Sequence, residues 1–383
     1  MFVDFVLDGQ GHGEIGERLS TVHYDPGMLR PYIDSKGQRC ATVNTGRMSD
    51  KGPIYEKVRI ADLQSRGISS PVFNATSLRK EEWIQIDQVV IRAARQRLRA
   101  WADLAQANTF GGFNAMSKLT LEYEAMADPG EAIVDMDGIT EGRTDAPLFK
   151  LRSLPLPITH SDFFFSSRRL AVSRNTGTPL DTTMAEAAGR RVAEMIEKTV
   201  IGVNTGVTYG TQATGITAHD GTSTVYGYTN FPSRLTKTNM TIPTGSNPEV
   251  TVGDVLTMRN SLFNNKFYGP FMVYHSTDWD QYLDNDYARL GGDNASMTLR
   301  DRIRKIEGIM DVRRLDFLTS TYTMLMVQMT SDVARAVNGM EITTVQWETK
   351  GGMQLNFKVM AIQVPQLRAD YSGNCGILHG TTA

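Results

Sequence analysis

The 383-residue sequence predicts an α+β protein, and three patterns carry that prediction. Apolar residues recur at helical spacing in two long stretches, 78–107 and 183–201. Strict apolar–polar alternation marks strands at 118–125 and 353–359. The intervening chain mixes Gly-, Thr- and Asn-rich irregular segments with short helical patterns and brief buried strands.

Residues 1–75 scatter their hydrophobes among repeated Gly, Pro, Asp and Ser turns. Such a segment is expected to be extended rather than independently packed, and at roughly 3.3 Å per residue it could lie across neighbouring subunits. Within it, the strand-like run Phe2 to Leu7 precedes Gly11, Gly13 and Gly16 in GxGxxG spacing. A dinucleotide site would need a helix directly afterwards, to put free amides and the helix dipole on a pyrophosphate, and then a second strand. Asp25-Pro26-Gly27 interrupts any such helix, and 34–66 holds no clean apolar strand, so these glycines read as part of a flexible arm.

The first long helix, 78–107, carries Trp83, Ile86, Val90, Ala94, Trp101 and Leu104 on one face. Glu81, Glu82 and Asp87 sit early in it, while Arg92, Arg95, Arg97 and Arg99 sit late, which suits the helix dipole. The same four arginines are the most basic cluster on offer to nucleic acid. At Lys118 to Ala125 the period changes to two, an acid-rich stretch follows from Asp128 to Asp145, and a return strand begins near Leu148. This long hairpin would be marginal alone, so it calls for support from a neighbouring chain or from its own domain.

The second long helix buries Ala188, Val192, Met195, Ile196 and Thr199. Glu186–Arg190 and Glu194–Lys198 add favourable i,i+4 pairs, and Gly202 stops it. Residues 203–312 read as a mixed α/β region around the buried strand Phe271 to Tyr274. The last seventy residues read as strands, with a Lys350-Gly351-Gly352 turn before the alternating Met353, Leu355, Phe357 and Val359.

Composition excludes several functions. The 40 basic residues against 42 acidic ones leave a net charge of −2, so there is no overall basic field and any DNA contact must be local. Cys40 and Cys375 lie near opposite ends, which argues against a disulfide framework and for a reducing interior. Without a basic leader or an eighteen-residue apolar run, the sequence predicts no secretion and no membrane partner. There is no HExxH, CxxC, GxxxxGK[ST] or GxSxG, so no catalytic, cofactor-binding or metal residue is predicted, and no enzyme.

From Leu154 to Ile201 the sequence LPLPITHSDFFFSSRRLAVSRNTGTPLDTTMAEAAGRRVAEMIEKTVI becomes specific. It resembles the passage in encapsulins and tailed-phage major capsid proteins of the Hong Kong 97 lineage where a returning extended loop meets the spine helix. Glu82-Trp83-Ile84-Gln85-Ile86-Asp87 resembles the encapsulin segment before that loop, and Phe357-Lys358-Val359-Met360 resembles a closing strand of the peripheral domain. The resemblance spans about 77–370, and the order of elements carries it more than any one motif.

The resemblance implies a Hong Kong 97-like capsid fold. Its parts would be an N-terminal arm (1–76), a peripheral-domain helix region (77–117), an extended-loop hairpin (118–160) and a peripheral domain with spine helix (161–202). An axial domain (203–312) and peripheral-domain strands with the C-terminus (313–383) would follow. The implied function is a major capsid protein that self-assembles, through pentamers and hexamers, into the icosahedral head of a tailed bacteriophage. It would be made in the host bacterial cytoplasm and end in the virion. Packaged double-stranded DNA would meet the inner face, at Arg92, Arg95, Arg97 and Arg99. Separate scaffold, portal and decoration proteins are candidate partners. The long arm favours this viral branch over the alternative, an encapsulin-type nanocompartment enclosing a cargo enzyme. Some relatives cross-link through a lysine in the extended loop; Lys150 stands on the return limb, with no matching asparagine motif.

Overall fold

The computed structural model describes residues 30–33, 39–49, 52–59, 80–95, 98–113, 115–126, 136, 149–176, 182–203, 216–217, 224–244, 247, 249–285, 297–318, 322–370 and 372–382. The glycines Gly11, Gly13 and Gly16, Arg97 and all but one residue of the 128–145 stretch lie outside these. Strands β1 (Arg30–Ile33), β2 (Arg39–Ser49) and β3 (Gly52–Arg59) come first, then helices α1 (Lys80–Arg95) and α2 (Ala100–Ala107) and strand β4 (Thr109–Gly111). The hairpin strands β5 (Thr120–Met126) and β6 (Phe149–Pro155) lead to β7 (Thr159–Ser166), α3 (Ser167–Thr176) and the long α4 (Thr183–Ile201). Next come β8 (Ile216–Thr217), β9 (Thr224–Val225), β10 (Leu235–Lys237), α5 (Val250–Asn264), β11 (Phe271–His275), α6 (Asp280–Leu283) and α7 (Leu299–Arg304). The chain closes with β12 (Ile309–Arg314), β13 (Met324–Gln328), β14 (Ala334–Thr349), β15 (Gln354–Leu367) and β16 (Ile377–Gly380).

Two compact units emerge. The first comprises Met1–Arg97, Ile158–Ala193 and Met340–Ile362. In it β15 pairs antiparallel with β7, from Gln354↔Ser166 to Ala361↔Thr159. Alternation along β7 turns Phe163 and Phe165 inward and leaves Phe164 60% exposed. Phe163 stacks on Phe357 with centroids 5.1 Å apart, and Phe165 meets Phe357 edge-on at 5.5 Å. Helices α1 and α4 approach closely here: a Cβ on Gly189 would lie 3.0 Å from the Val90 carbonyl oxygen, so the absent side chain is what permits the contact. The Lys350–Gly352 turn has positive φ at all three residues, Lys350, Gly351 and Gly352, and reverses the chain between β14 and β15.

The region read as lacking clean strands carries a three-stranded antiparallel sheet, order β1-β2-β3, with β2 and β3 paired from Cys40↔Arg59 to Ser49↔Gly52 across a register shift between Asn44 and Met48. Alternation is weak there. The β-branched and aromatic residues Thr42, Val43, Ile54, Tyr55 and Val58 supply the strand preference without it.

The second unit comprises Leu98–Pro157, Glu194–Gly339 and Gln363–Ala383. Its five-stranded mixed sheet has the order β10-β16-β13-β11-β12, with β12 at one edge. Two of its strands, β13 and β16, come from the last seventy residues of the chain and lie inside the sheet, between β10 and β11 from the middle of the chain. Val255, Met258 and Leu262 of α5 pack with Phe271, Val273, Trp279, Ile303, Met326 and Leu378 to form its core. The end of α4 lies in this unit. Gly202, at φ +96°, terminates it, and Val203 N–H reaches back to the Lys198 carbonyl at 2.9 Å, the six-to-one bond of a glycine-capped helix end.

The stretch expected to be one helix over 78–107 is two, because a second N-terminus forms at Ala100. The helical expectation over Ser276 to Leu290 reduces, among the described residues, to a short 3-10 turn and α6. Within α4, Ala188 is buried and interior to the helix. Ala188→Pro should remove a hydrogen bond and clash with the preceding turn, costing about 3 kcal/mol or more. A loss of soluble yield, with the remaining protein unfolding at markedly lower urea, is the expected outcome.

Candidate assembly surfaces and the charged groove

The second N-terminus at Ala100 exists because a carboxylate caps it. Glu197, on α4 and only 2% exposed, accepts the N–H of Ala100 at 2.6 Å and of Trp101 at 3.1 Å. These are two of the donors that a helix start leaves without intrahelical partners. Burial pushes the Glu197 carboxyl up to about 7, against the pull of the backbone N–H groups that favour its ionised form.

One turn on, Asp103 is also buried. It accepts the Tyr274 hydroxyl at 3.0 Å and pairs with Arg313. Burial raises its pKa, while both partners oppose the rise. Arg313, nearer solvent, is held charged by Asp311 and Asp103. Tyr228 and Tyr274 stack beside this pair of acids, and burial drives both hydroxyls well above their ordinary range.

From Asp103 a network of ion pairs runs along a groove of about 570 Å³. Asp311 binds Arg313 Nε at 2.9 Å and Arg304 Nε at 2.8 Å. Asp280 joins Arg300 at 3.0 Å to Arg314 at 3.0 Å, and Asp284 takes Arg300 Nε at 2.6 Å. His275 donates from Nδ1 to the Ser276 carbonyl, leaving Nε2 to accept Arg300 at 3.2 Å. Burial, reinforced by the neighbouring guanidinium, lowers its pKa and keeps it neutral.

The hairpin β5–β6 rests partly on its own unit. Leu154 and Leu156 are buried, Leu156 N–H bonds the Leu119 carbonyl at 2.9 Å, and Arg368 lies 5.5 Å over the Tyr123 ring. Leu119, expected on the strand's apolar face, precedes the strand and is 88% exposed; Leu151, Glu122 and Glu124 are exposed as well. A cleft of about 270 Å³ is lined by Leu151, Arg152, Tyr226, Phe231 and Pro365 among others.

The four sequence-predicted arginines fare differently. Arg92 is exposed on α1 in the first unit, and Arg95 ends that helix. Arg99 is exposed in the second unit, where it precedes a helix instead of ending one, and it donates to the Arg314 carbonyl at 3.4 Å. The helix-dipole reason for its charge therefore does not apply to Arg99. The sequence reading missed Glu197, Asp103 and the Asp280–Arg314 network. Among the described residues no cluster of His, Cys, Asp and Glu is arranged to hold a metal ion, and no helix is long and apolar enough to cross a membrane.

A family model, the family of unknown function DUF6260, matches residues 74–380. The chain belongs to this family. Comparison with curated proteins by sequence finds no match. Among solved structures, the virus-like particle from Pyrococcus furiosus is similar at TM-score 0.50 and 14% identity, over 79% of this chain and 99% of that one. The capsid of Myoviridae phage XM1 is similar at TM-score 0.51 and 12% identity, over 73% of this chain and 90% of that one. The chain from Mycobacterium phage Bobi gives TM-score 0.51 and 12% identity, over 74% and 90%. This DUF6260 chain therefore has the Hong Kong 97-like capsid fold.

The Glu197 cap in the DUF6260 chain has a signature in pH. A carboxyl whose folded value of about 7 exceeds its ordinary value of 4.5 favours the fold fully below about pH 4.5, and loses that contribution as pH rises through 7. Relative to Glu197→Gln, the native chain should lose on the order of 3 kcal/mol between pH 4.5 and 8. Urea unfolding of both proteins at the two pH values checks it.

Proposed function

We propose that this chain is the major capsid protein of a tailed bacteriophage, a shell-forming subunit that assembles with copies of itself into an icosahedral head around double-stranded DNA. The observation that carries the reading is the fold, which runs through nearly the whole of a virus-like-particle subunit and nine-tenths of a phage capsid chain. In this reading residues 1–76 are the arm, 118–160 the extended loop and 203–312 the axial domain. The segments 77–117, 161–202 and 313–383 make the peripheral domain. Function is then contact surface, many weak contacts repeated by symmetry, and no enzymatic activity is assigned. Assembly takes place in the host bacterial cytoplasm, with scaffold, portal and decoration proteins as further partners, and the product is the virion capsid. The likeness to a virus-like particle keeps a cargo-enclosing nanocompartment as the second reading.

Electron microscopy of the chain expressed in bacteria, alone and with its neighbouring genes, tests the shell after nuclease treatment. Closed icosahedral particles are expected; chains that stay as monomers or dimers under both conditions overturn the reading, and enclosed protein cargo selects the nanocompartment.

The exposed Arg92 and Arg99, with Arg95 and Arg97, are proposed to meet DNA phosphates on the inner wall. Reversing Arg92 and Arg99 to Glu should lower the amount of nuclease-protected DNA per particle. In purified shells it should flatten the salt dependence of DNA binding by about 0.9 per lost phosphate contact, equally for all sequences. Unchanged packaging would remove these residues from the inner wall.

A further inference from the structure

Strand β12 ends the five-stranded sheet, and a sheet edge presents unpaired N–H and C=O groups on which another chain can add a strand. In β12 the register with β11 sets which residues these are. Leu315 N–H donates to the His275 carbonyl at 3.0 Å, so beyond the register shift opposite Phe271–Met272 the residues Arg313 and Leu315 face β11, and Val312 and Arg314 face outward. Three of these four outward groups are taken by side chains of the same chain. Val312 N–H donates to Asp311 Oδ1 at 2.8 Å. The Val312 carbonyl accepts Arg300 Nη1 at 3.3 Å, and the Arg314 carbonyl accepts Arg99 Nη1 at 3.4 Å.

Two of these three side chains are themselves fixed. Arg304 and Arg313 hold Asp311, while Asp280 and Asp284 hold Arg300. Arg99, about 200 residues before the other two, thus converges with Arg300 and Asp311 on two consecutive outward-facing residues of one edge. Ion pairs at an exposed surface contribute little stability, typically about 0–1 kcal/mol each, so stability alone is a weak reason for gathering so many along one strand. Met310, at the register shift of the same edge strand, carries no charge and is 59% exposed, so an incoming strand would meet an apolar side chain there.

We propose that this cage of side chains guards the edge: it keeps a second copy of the chain from pairing with β12, so that the face meets neighbours only through ion-paired side chains. The proposal goes beyond the shell reading and does not depend on it, since an open edge is a hazard for any concentrated protein.

Arg99→Ala combined with Arg300→Ala bares two carbonyls. Sedimentation velocity of the full chain then reads the fraction in species that are neither single subunits nor the parent's own particles. That fraction should rise several-fold above the parent, and adding Met310→Lys, which places a charge on the bared edge, should return it to the parent's level. A fraction equal to the parent's overturns the proposal, as does a rise that Met310→Lys leaves unchanged, since that would be association through unfolded chains. If the double variant no longer unfolds cooperatively, Arg99→Ala with Asp311→Ala, which bares the Val312 N–H and the Arg314 carbonyl, is judged by the same two outcomes.

Discussion

Much of the second unit depends on a buried carboxylate meeting a helix start. Glu197 projects from α4 into apolar surroundings, where an isolated ionised group would be expensive, and what makes it tolerable is the pair of backbone N–H donors at Ala100 and Trp101. The same two bonds satisfy donors that α2 would otherwise leave unpaired in a buried place. Each partner removes the other's penalty, so neither is dispensable alone. The cap also sets the phase of α2. With Asp103 N–H bonded to the Arg99 carbonyl at 3.0 Å, the first turn brings the Asp103 carboxylate to Tyr274 and Arg313. One interaction between α4 and α2 thereby reaches β11 and β12.

Along this path the charges move from buried to exposed, and the physics changes with them. Desolvation outweighs every partner at Glu197 and Asp103, so both carboxyls are raised. At Asp311, nearer solvent, the two guanidiniums and the Val312 N–H win, and the carboxyl is lowered. Asp103 and Arg313 therefore give opposite accounts of one pair: the acid is raised by burial, and the base is held charged by its neighbours. The acid's side decides, because its half of the contact has lost water while Arg313 remains half-exposed. The pair positions β12 against α2 more than it stabilises either element.

The legible parts of the fold are those whose signal is local. Helix α4 shows a clean 3.6 period and ends at a glycine that adopts a positive φ, and β15 alternates at Leu355, Phe357 and Val359. Beyond Val359 β15 is buried on both faces, so the alternation fades while the strand continues to Leu367. The break between α1 and α2 was hidden because its cause sits about a hundred residues away: Glu197 lies between Glu194 and Lys198 in sequence and differs from them only by phase on the helix. The recruitment of β13 and β16 into a sheet with β10, β11 and β12 is likewise a long-range pairing with no local mark. The charged groove was invisible for the same reason, since Asp103 and Arg313 are 210 residues apart and Asp280 and Arg314 are 34 apart. A run of arginines late in a helix, by contrast, is conspicuous in sequence whether or not it touches anything.

Charge is unevenly divided along the chain in a way that bears on the proposed role. Residues 118–160 hold eight acidic and four basic side chains, a net of −4, while the whole chain has −2, so the remainder is only slightly basic at +2. Most of the arginines in the groove are already matched to aspartates, which leaves few cations to offer to phosphate. Double-stranded DNA carries one charge per roughly 1.7 Å of helix axis. A wall of such subunits cannot neutralise it, and small counterions must do so for packaged DNA inside the proposed shell. Contact between wall and DNA is then sparse and local, and cohesion of the shell has to come from subunit against subunit. Under the proposed role, cohesion falls to surfaces such as the acid-rich sequence 128–145 and the exposed apolar positions Leu119, Leu151 and Phe164 rather than to the arginines.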